Sequence, residues 1–212
     1  KNAVAAISPV DLTETGACDA ISPPAVPDLP PPVTEPRKYT PGHYTVLMRR
    51  NGSHTAMLNS VKPGMVGIVK RYTWRSLEPS MEQYDFSEIE SDLQLVASQG
   101  MQLVVMIEDK TFVDDVPLPE YLSGNQHMRA NIHSGYMAVR WSPYVVTRIK
   151  ALIKELGQRF DSHPNFEGIA TQETAPSFSQ ETLDATGYTP EAYRDALIDV
   201  LSDATVSMPT SR

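Results

Sequence analysis

Four segments of this chain read as β-strands followed by helices, and that alternation leaves few folds open. The most diagnostic segment is Leu103-Val-Val-Met-Ile107, apolar at every position. A strand with one face in water alternates apolar and polar residues, whereas a run apolar on both faces is expected of a parallel strand covered on both sides. Before it, His43-Tyr-Thr-Val-Leu-Met48 and Met65-Val-Gly-Ile-Val-Lys-Arg-Tyr72 read as two strands, with a Pro63-Gly64 turn between them. After it, Phe166-Glu-Gly-Ile-Ala-Thr171 reads as a fourth, and Thr205-Val-Ser-Met208 is expected to open a fifth.

Helix signals separate the strands. Ser53 to Ser60 allows two turns. Ser87-Glu-Ile-Glu90 has the form of a capping box, in which hydroxyl and carboxylate answer orphan amides. That helix carries Ile89, Leu93, Val96 and Ala97 on one face and stops at Gly100. Ser142-Pro143 and Thr189-Pro190 each pair a capping residue with proline at the first helical position. Val146, Ile149, Leu152, Ile153 and Leu156 then recur at helical spacing, as do Ala196, Leu197 and Leu201. Repeated strand–helix units predict an α/β fold with a parallel sheet, of the (β/α) TIM-barrel type, with about the first four to five units present. The segment from Phe112 to Arg140 reads as a long, polar insertion after the third strand, where barrel enzymes build their clefts.

Residues 1–41 differ. They hold nine of the 18 prolines and no apolar periodicity. Proline removes backbone donors and favours extended conformations, which predicts a semi-rigid tail or linker, the alternative being a strap laid across the following domain. The domain boundary is therefore set at 1–41 and 42–212. The chain opens at Lys1 without Met or a signal peptide, so an upstream segment is expected.

Composition excludes more than it identifies. A net charge of −8 argues against nucleic-acid binding, which needs a cationic face. Cys18 alone forms neither an internal disulfide nor a zinc site, and no apolar stretch is long enough to span a bilayer. The five histidines, 43, 54, 127, 133 and 163, lack metal-ligand spacing, so no metal is expected. No nucleotide-binding or serine-hydrolase motif occurs, and no cofactor is expected. Asn51-Gly-Ser53 matches a glycosylation acceptor.

In parallel α/β folds, functional residues gather at the carboxyl ends of the strands. Those ends supply Arg49 and Arg50, then Arg71, Tyr72 and Trp74 with Glu78 beyond, then Glu108, Asp109 and Lys110, then Gln172 and Glu173. Glu173 follows an apolar strand, where partial desolvation would raise a carboxyl group's pKa and fit it to protonate a departing glycosidic oxygen. It could equally be a solvated loop glutamate or an ion-pair partner of Lys110 or Arg71. Trp74 could stack on a sugar ring or pack in the core. Trp141, just before a helix start, fits packing better. Glu108 and Asp109 could bind sugar hydroxyls or, with Lys110 beside them, simply form a charge network.

Tyr72-Thr-Trp-Arg-Ser-Leu-Glu-Pro79, followed by Gln83-Tyr-Asp-Phe-Ser87, resembles the second strand of the clan A (β/α)8-barrel glycoside hydrolases, where a "W..lEP..G.YdFs" phrase leads into the second helix. Asp161-Ser-His-Pro-Asn-Phe-Glu-Gly168 is similar to the phrase before their fourth strand. The resemblance covers residues 42 to 176. It implies a retaining hydrolase of an extracellular poly- or oligosaccharide, secreted, with Glu173 as acid/base and Arg71, Trp74, Glu108, Lys110 and Gln172 holding the sugar. Two departures stand out. Gln172 occupies the place of the clan's asparagine, and the clan's strand-7 nucleophile lies beyond this sequence. The remaining half of the barrel is therefore expected on a continuation or a second chain. The alternative is a carbohydrate-binding or structural barrel of a surface assembly that has lost catalysis.

Overall fold

The computed structural model describes residues 37–47, 56, 59, 61–124 and 126–211. In chain order the elements are β1 (His43–Leu47), β2 (Met65–Thr73), α1 (Trp74–Leu77), α2 (Ser87–Ser98), β3 (Gln102–Glu108), β4 (Met128–Ala130), β5 (Tyr136–Ala138), α3 (Pro143–Phe160), β6 (Phe166–Thr171), α4 (Gln180–Ala185) and α5 (Pro190–Ser207). The Pro-rich residues 1–36, Arg49, Arg50, the acceptor motif at Asn51 and nearly all of the helix expected over Ser53–Ser60 lie outside the described residues.

Strands β1, β2, β3 and β6 form one sheet in that order, and every pairing is parallel. The register places Ile68, Lys70 and Tyr72 opposite Leu103, Val105 and Ile107. Because strand side chains alternate faces, these six residues share one side of the sheet. That side is the core, joined by Ile89, Leu93 and Val96 of α2 and by Leu152, Ile153, Leu156 and Phe160 of α3. Lys70 is the polar exception on this row. Its buried ammonium pairs with Asp92, and with Glu88 at 2.9 Å, while the Tyr72 hydroxyl donates to Asp92 at 2.7 Å. Burial, reinforced by the Asp92 charge, pushes the Tyr72 phenol far above its ordinary range. A buried cation is tolerated here because α2 brings its counter-charge.

Three local expectations change. Ser87 is the first residue of α2 and not its cap; the Asp85 carboxylate instead accepts from the Ser87 amide (3.0 Å) and hydroxyl (2.6 Å). Thr205–Met208 is not a fifth strand: α5 continues through Ser207, and its Ala204 and the following Met208 are buried against the core. Packing overrides the local β-propensity of Thr205-Val206, and Val206 is left on the exposed face. The insertion after β3 is less polar than its sequence suggests. Leu118 and Leu122 enter the main core, while Met137 and Val139 form a second cluster with Trp141, Phe178 and Tyr193. Trp141 is thus a packing residue, its ring edge-on to Tyr188 and Tyr193, with its N–H donated to the Thr186 carbonyl.

Helices α3 and α5 lie against one another, and Gly157 permits the contact: a Cβ there would collide with the Ser207 carbonyl. Among the described residues no helix is long and apolar enough to cross a membrane.

Candidate active site

The carboxyl ends of β2, β3 and β6 meet, as their parallel register requires, and bring most of the expected residues together. Glu173 stands two residues past the end of β6. Its Oε1 lies 2.9 Å from Lys110 Nζ, with the lysine side chain 1% exposed and the glutamate 44%. The carboxyl is thus half-exposed and held by a buried ammonium, the ion pair with Lys110 that the sequence left as an alternative. Lys110 also donates to the Ala175 carbonyl at 3.2 Å and sits 4.6 Å from the Phe112 ring centroid. One buried cation thus fixes both the side chain of Glu173 and the loop that follows it.

Gln172 is buried, and its Oε1 accepts from the backbone amides of Asp109 (3.0 Å) and Lys110 (2.9 Å). The side chain locks the end of β6 to the end of β3, which leaves its amide oxygen no role as a sugar ligand. Arg71 lies 3.9 Å from Glu108, both largely buried. Trp74 is fully buried and its N–H donates to Glu78 Oε2 at 2.8 Å, so the ring packs in the core, where it borders the cavity described below. Glu78 is equally enclosed. Its carboxylate also accepts from Tyr121 (2.6 Å), from the Glu82 amide (2.9 Å) and from Arg148, a full complement for a buried anion. Burial opposes the charge of Arg148, but its bonds to Tyr121 and Glu78 outweigh that and hold the guanidinium firmly charged.

Two residues absent from the sequence-derived set, Arg140 and Tyr193, complete the arrangement. Arg140 makes a two-pronged pair with Asp109, Nε to Oδ2 at 2.7 Å and Nη2 to Oδ1 at 2.6 Å. Its Nη1 donates to the Glu173 carbonyl at 2.7 Å and bonds Tyr193 at 3.1 Å. The Tyr193 hydroxyl in turn donates to the Thr174 carbonyl at 2.6 Å. Burial works against the charge on Arg140, and the Asp109 carboxylate more than restores it. The backbone of Glu173 and Thr174 is thereby clamped from two sides. Arg140 precedes the α3 start and Tyr193 sits in the first turn of α5; contacts across 33 and 19 residues leave no local pattern to read.

A cavity of about 60 Å³ adjoins this cluster, lined by Ile107, Ile149, Ile169 and Leu197 and reaching Asp109 and Arg140 at its polar end. Among the described residues no group of three His, Cys, Asp or Glu side chains is placed to hold a metal ion.

No protein-family model and no curated protein matches the chain. Solved structures do. Endo-glycoceramidase II from Rhodococcus sp. superposes with a TM-score of 0.55 at 11% identity, over 75% of this chain and 42% of that one. GH5_18 from Bifidobacterium longum subsp. longum ATCC 55813 gives a TM-score of 0.50 at 14% identity, over 71% of this chain and 34% of that one. The chain therefore spans less than half the length of the proteins it resembles. At such identities the likeness speaks for the fold alone, and the fold is a partial (β/α) barrel.

Proposed function

We propose that this chain carries the acid/base half of a retaining glycoside hydrolase, acting outside the cell on a poly- or oligosaccharide. The observation that carries the reading is the position of Glu173: past the end of the fourth parallel strand, half-exposed, with its carboxylate on Lys110 and its backbone on Arg140. Glu173 donates a proton to the departing glycosidic oxygen, then takes one from the water that releases the glycosyl–enzyme. The nucleophile belongs to a later strand and would stand roughly 5 Å from Glu173, as retention requires. Arg71 and Glu108 contribute to the sugar site. Lys110, Arg140 and Gln172 hold the acid/base in place, which matters because rate falls steeply with small errors of position. In the test, the full-length protein is offered a panel of oligosaccharides and the products are followed by proton NMR. Release of sugar whose first-formed anomer keeps the substrate's configuration supports the reading, and inverted product defeats it.

One observation favours a second reading, a carbohydrate-binding barrel without turnover. The Gln172 amide oxygen is already occupied by backbone amides, and the Glu173 carboxylate is already paired. Saturable sugar binding by the full-length protein with no product from any of the panel would select it.

A further inference from the structure

Lys38 reaches into the turn that precedes β6 and spends all three of its ammonium protons there. Nζ lies 2.7 Å from the carbonyl oxygen of Asp161, 3.0 Å from that of His163 and 2.6 Å from that of Phe166. It also stands 5.5 Å from the centroid of the Phe166 ring. The backbone around the ammonium is pinned independently: the Lys38 amide donates to the Thr210 carbonyl at 2.7 Å, and the Thr40 amide donates to Glu167 Oε1 at 3.2 Å. The turn itself is braced by the Asp161 carboxylate, whose oxygens accept from the amides of Thr210 (3.1 Å) and Ser211 (2.8 Å).

We propose that the Asp161–Phe166 turn is a cation-binding site for a large monovalent cation or a primary ammonium group, occupied in this chain by Lys38. Three convergent carbonyl oxygens replace water around a cation, the device by which carbonyl rings hold potassium. The charges around the site agree. Asp161 and Glu167 both act on Lys38 as anions, and Glu167 is itself buried, so withdrawing the ammonium leaves three carbonyl oxygens without their donor in a field of two nearby negative charges. Burial draws the Lys38 ammonium below its ordinary pKa, while those two anions oppose the shift. Size selects the class of ion. Oxygens at 2.6–3.0 Å from the charge centre are too distant for magnesium, which demands about 2.0–2.1 Å, and beyond most of the calcium range of about 2.3–2.6 Å. A small divalent ion would have to collapse a turn that Asp161 already braces.

The test removes the occupant and supplies another. Lys38→Ala removes the ammonium together with the stem that fills the turn. Thermal unfolding of the whole chain is followed by circular dichroism at constant ionic strength in potassium, methylammonium or tetramethylammonium chloride, the last being too large for the turn. The proposal expects Lys38→Ala to unfold several degrees below the parent in tetramethylammonium and to regain at least half the loss in potassium or methylammonium, while the parent is insensitive to the exchange. An equal midpoint in all three salts overturns it, as does rescue by millimolar calcium in place of the monovalent ions. Failure of Lys38→Ala to fold in potassium also counts against it, since a filled site should fold. Lys38→Met, whose methyl occupies the place of the lysine stem and leaves no room for an ion, should show no rescue in any of the salts; rescue of that variant would also overturn the proposal.

Discussion

The Lys110 ammonium and the Glu173 carboxylate meet at 2.9 Å across the ends of β3 and β6, the lysine buried and the glutamate half in solvent. The asymmetry decides which member controls the other. Lys110 is fixed by its surroundings and its bond to the Ala175 carbonyl, so it is the anchor, and Glu173 is the group being aimed. If Glu173 acts as proposed, Lys110→Met, close in shape and uncharged, should lower kcat of the full-length protein about 10- to 100-fold with a smaller change in KM, as expected when a reacting group loses its placement. Steady-state kinetics read the outcome, and an unchanged kcat would detach Lys110 from the site.

Arg140 is the second anchor. Replacing it by alanine strands the Asp109 carboxylate, whose side chain is only 14% exposed, and frees the Glu173 carbonyl. Breaking a buried pair from one side costs about 3–5 kcal/mol. Urea unfolding should show a loss of that order for Arg140→Ala. Arg140→Lys should recover only part of it, because an ammonium cannot reproduce the two-pronged geometry.

How much of this was legible in the sequence depends on the range of the interaction. The parallel sheet was readable because Leu103–Ile107 is apolar at every position and Ser142-Pro143 and Thr189-Pro190 announce helices locally. The cluster of charges at the strand ends followed from topology. The false fifth strand at Thr205–Met208 arose because two β-branched residues look strand-like until Ala204 and Met208 are seen buried against the core. The structural part of Gln172 was hidden, because sequence cannot show that its amide oxygen accepts from the amides of Asp109 and Lys110, 63 and 62 residues away. Arg140 was missed for the same reason.

Trp74 provides a direct check on that distinction. With its ring fully buried and its N–H on Glu78, Trp74→Phe should lower stability by about 1–3 kcal/mol through a lost hydrogen bond and lost volume. KM for sugar should stay the same. A large rise in KM with stability unchanged would mean that the indole meets substrate.

Two groups in the turn before β6 make stability depend on pH. Burial opposes ionisation of Asp161, but the bonds from Ser211 and Thr210 outweigh it and hold the carboxyl below its ordinary 3.8. Its contribution is therefore present above pH 3.8 and lost as pH falls through the lowered folded value. Burial, aided by the Lys38 charge, holds His163 below 6.5, so the fold favours the neutral imidazole. That contribution is complete above 6.5 and is lost as pH falls below it. Urea midpoints measured between pH 7 and 3 should decline in these two windows; His163→Gln should flatten the upper one and Asp161→Asn the lower.

The most direct test of the proposed function is the hydrolysis rate of the full-length protein carrying Glu173→Ala, compared between a natural oligosaccharide and a dinitrophenyl glycoside. A good leaving group needs no proton, whereas a sugar alkoxide does. Loss of a general acid should cut turnover of the oligosaccharide about 10²- to 10⁴-fold. The aryl substrate should still form the glycosyl–enzyme, and added azide should speed its release as a glycosyl azide of retained configuration. Full turnover of the oligosaccharide by Glu173→Ala would contradict the assignment.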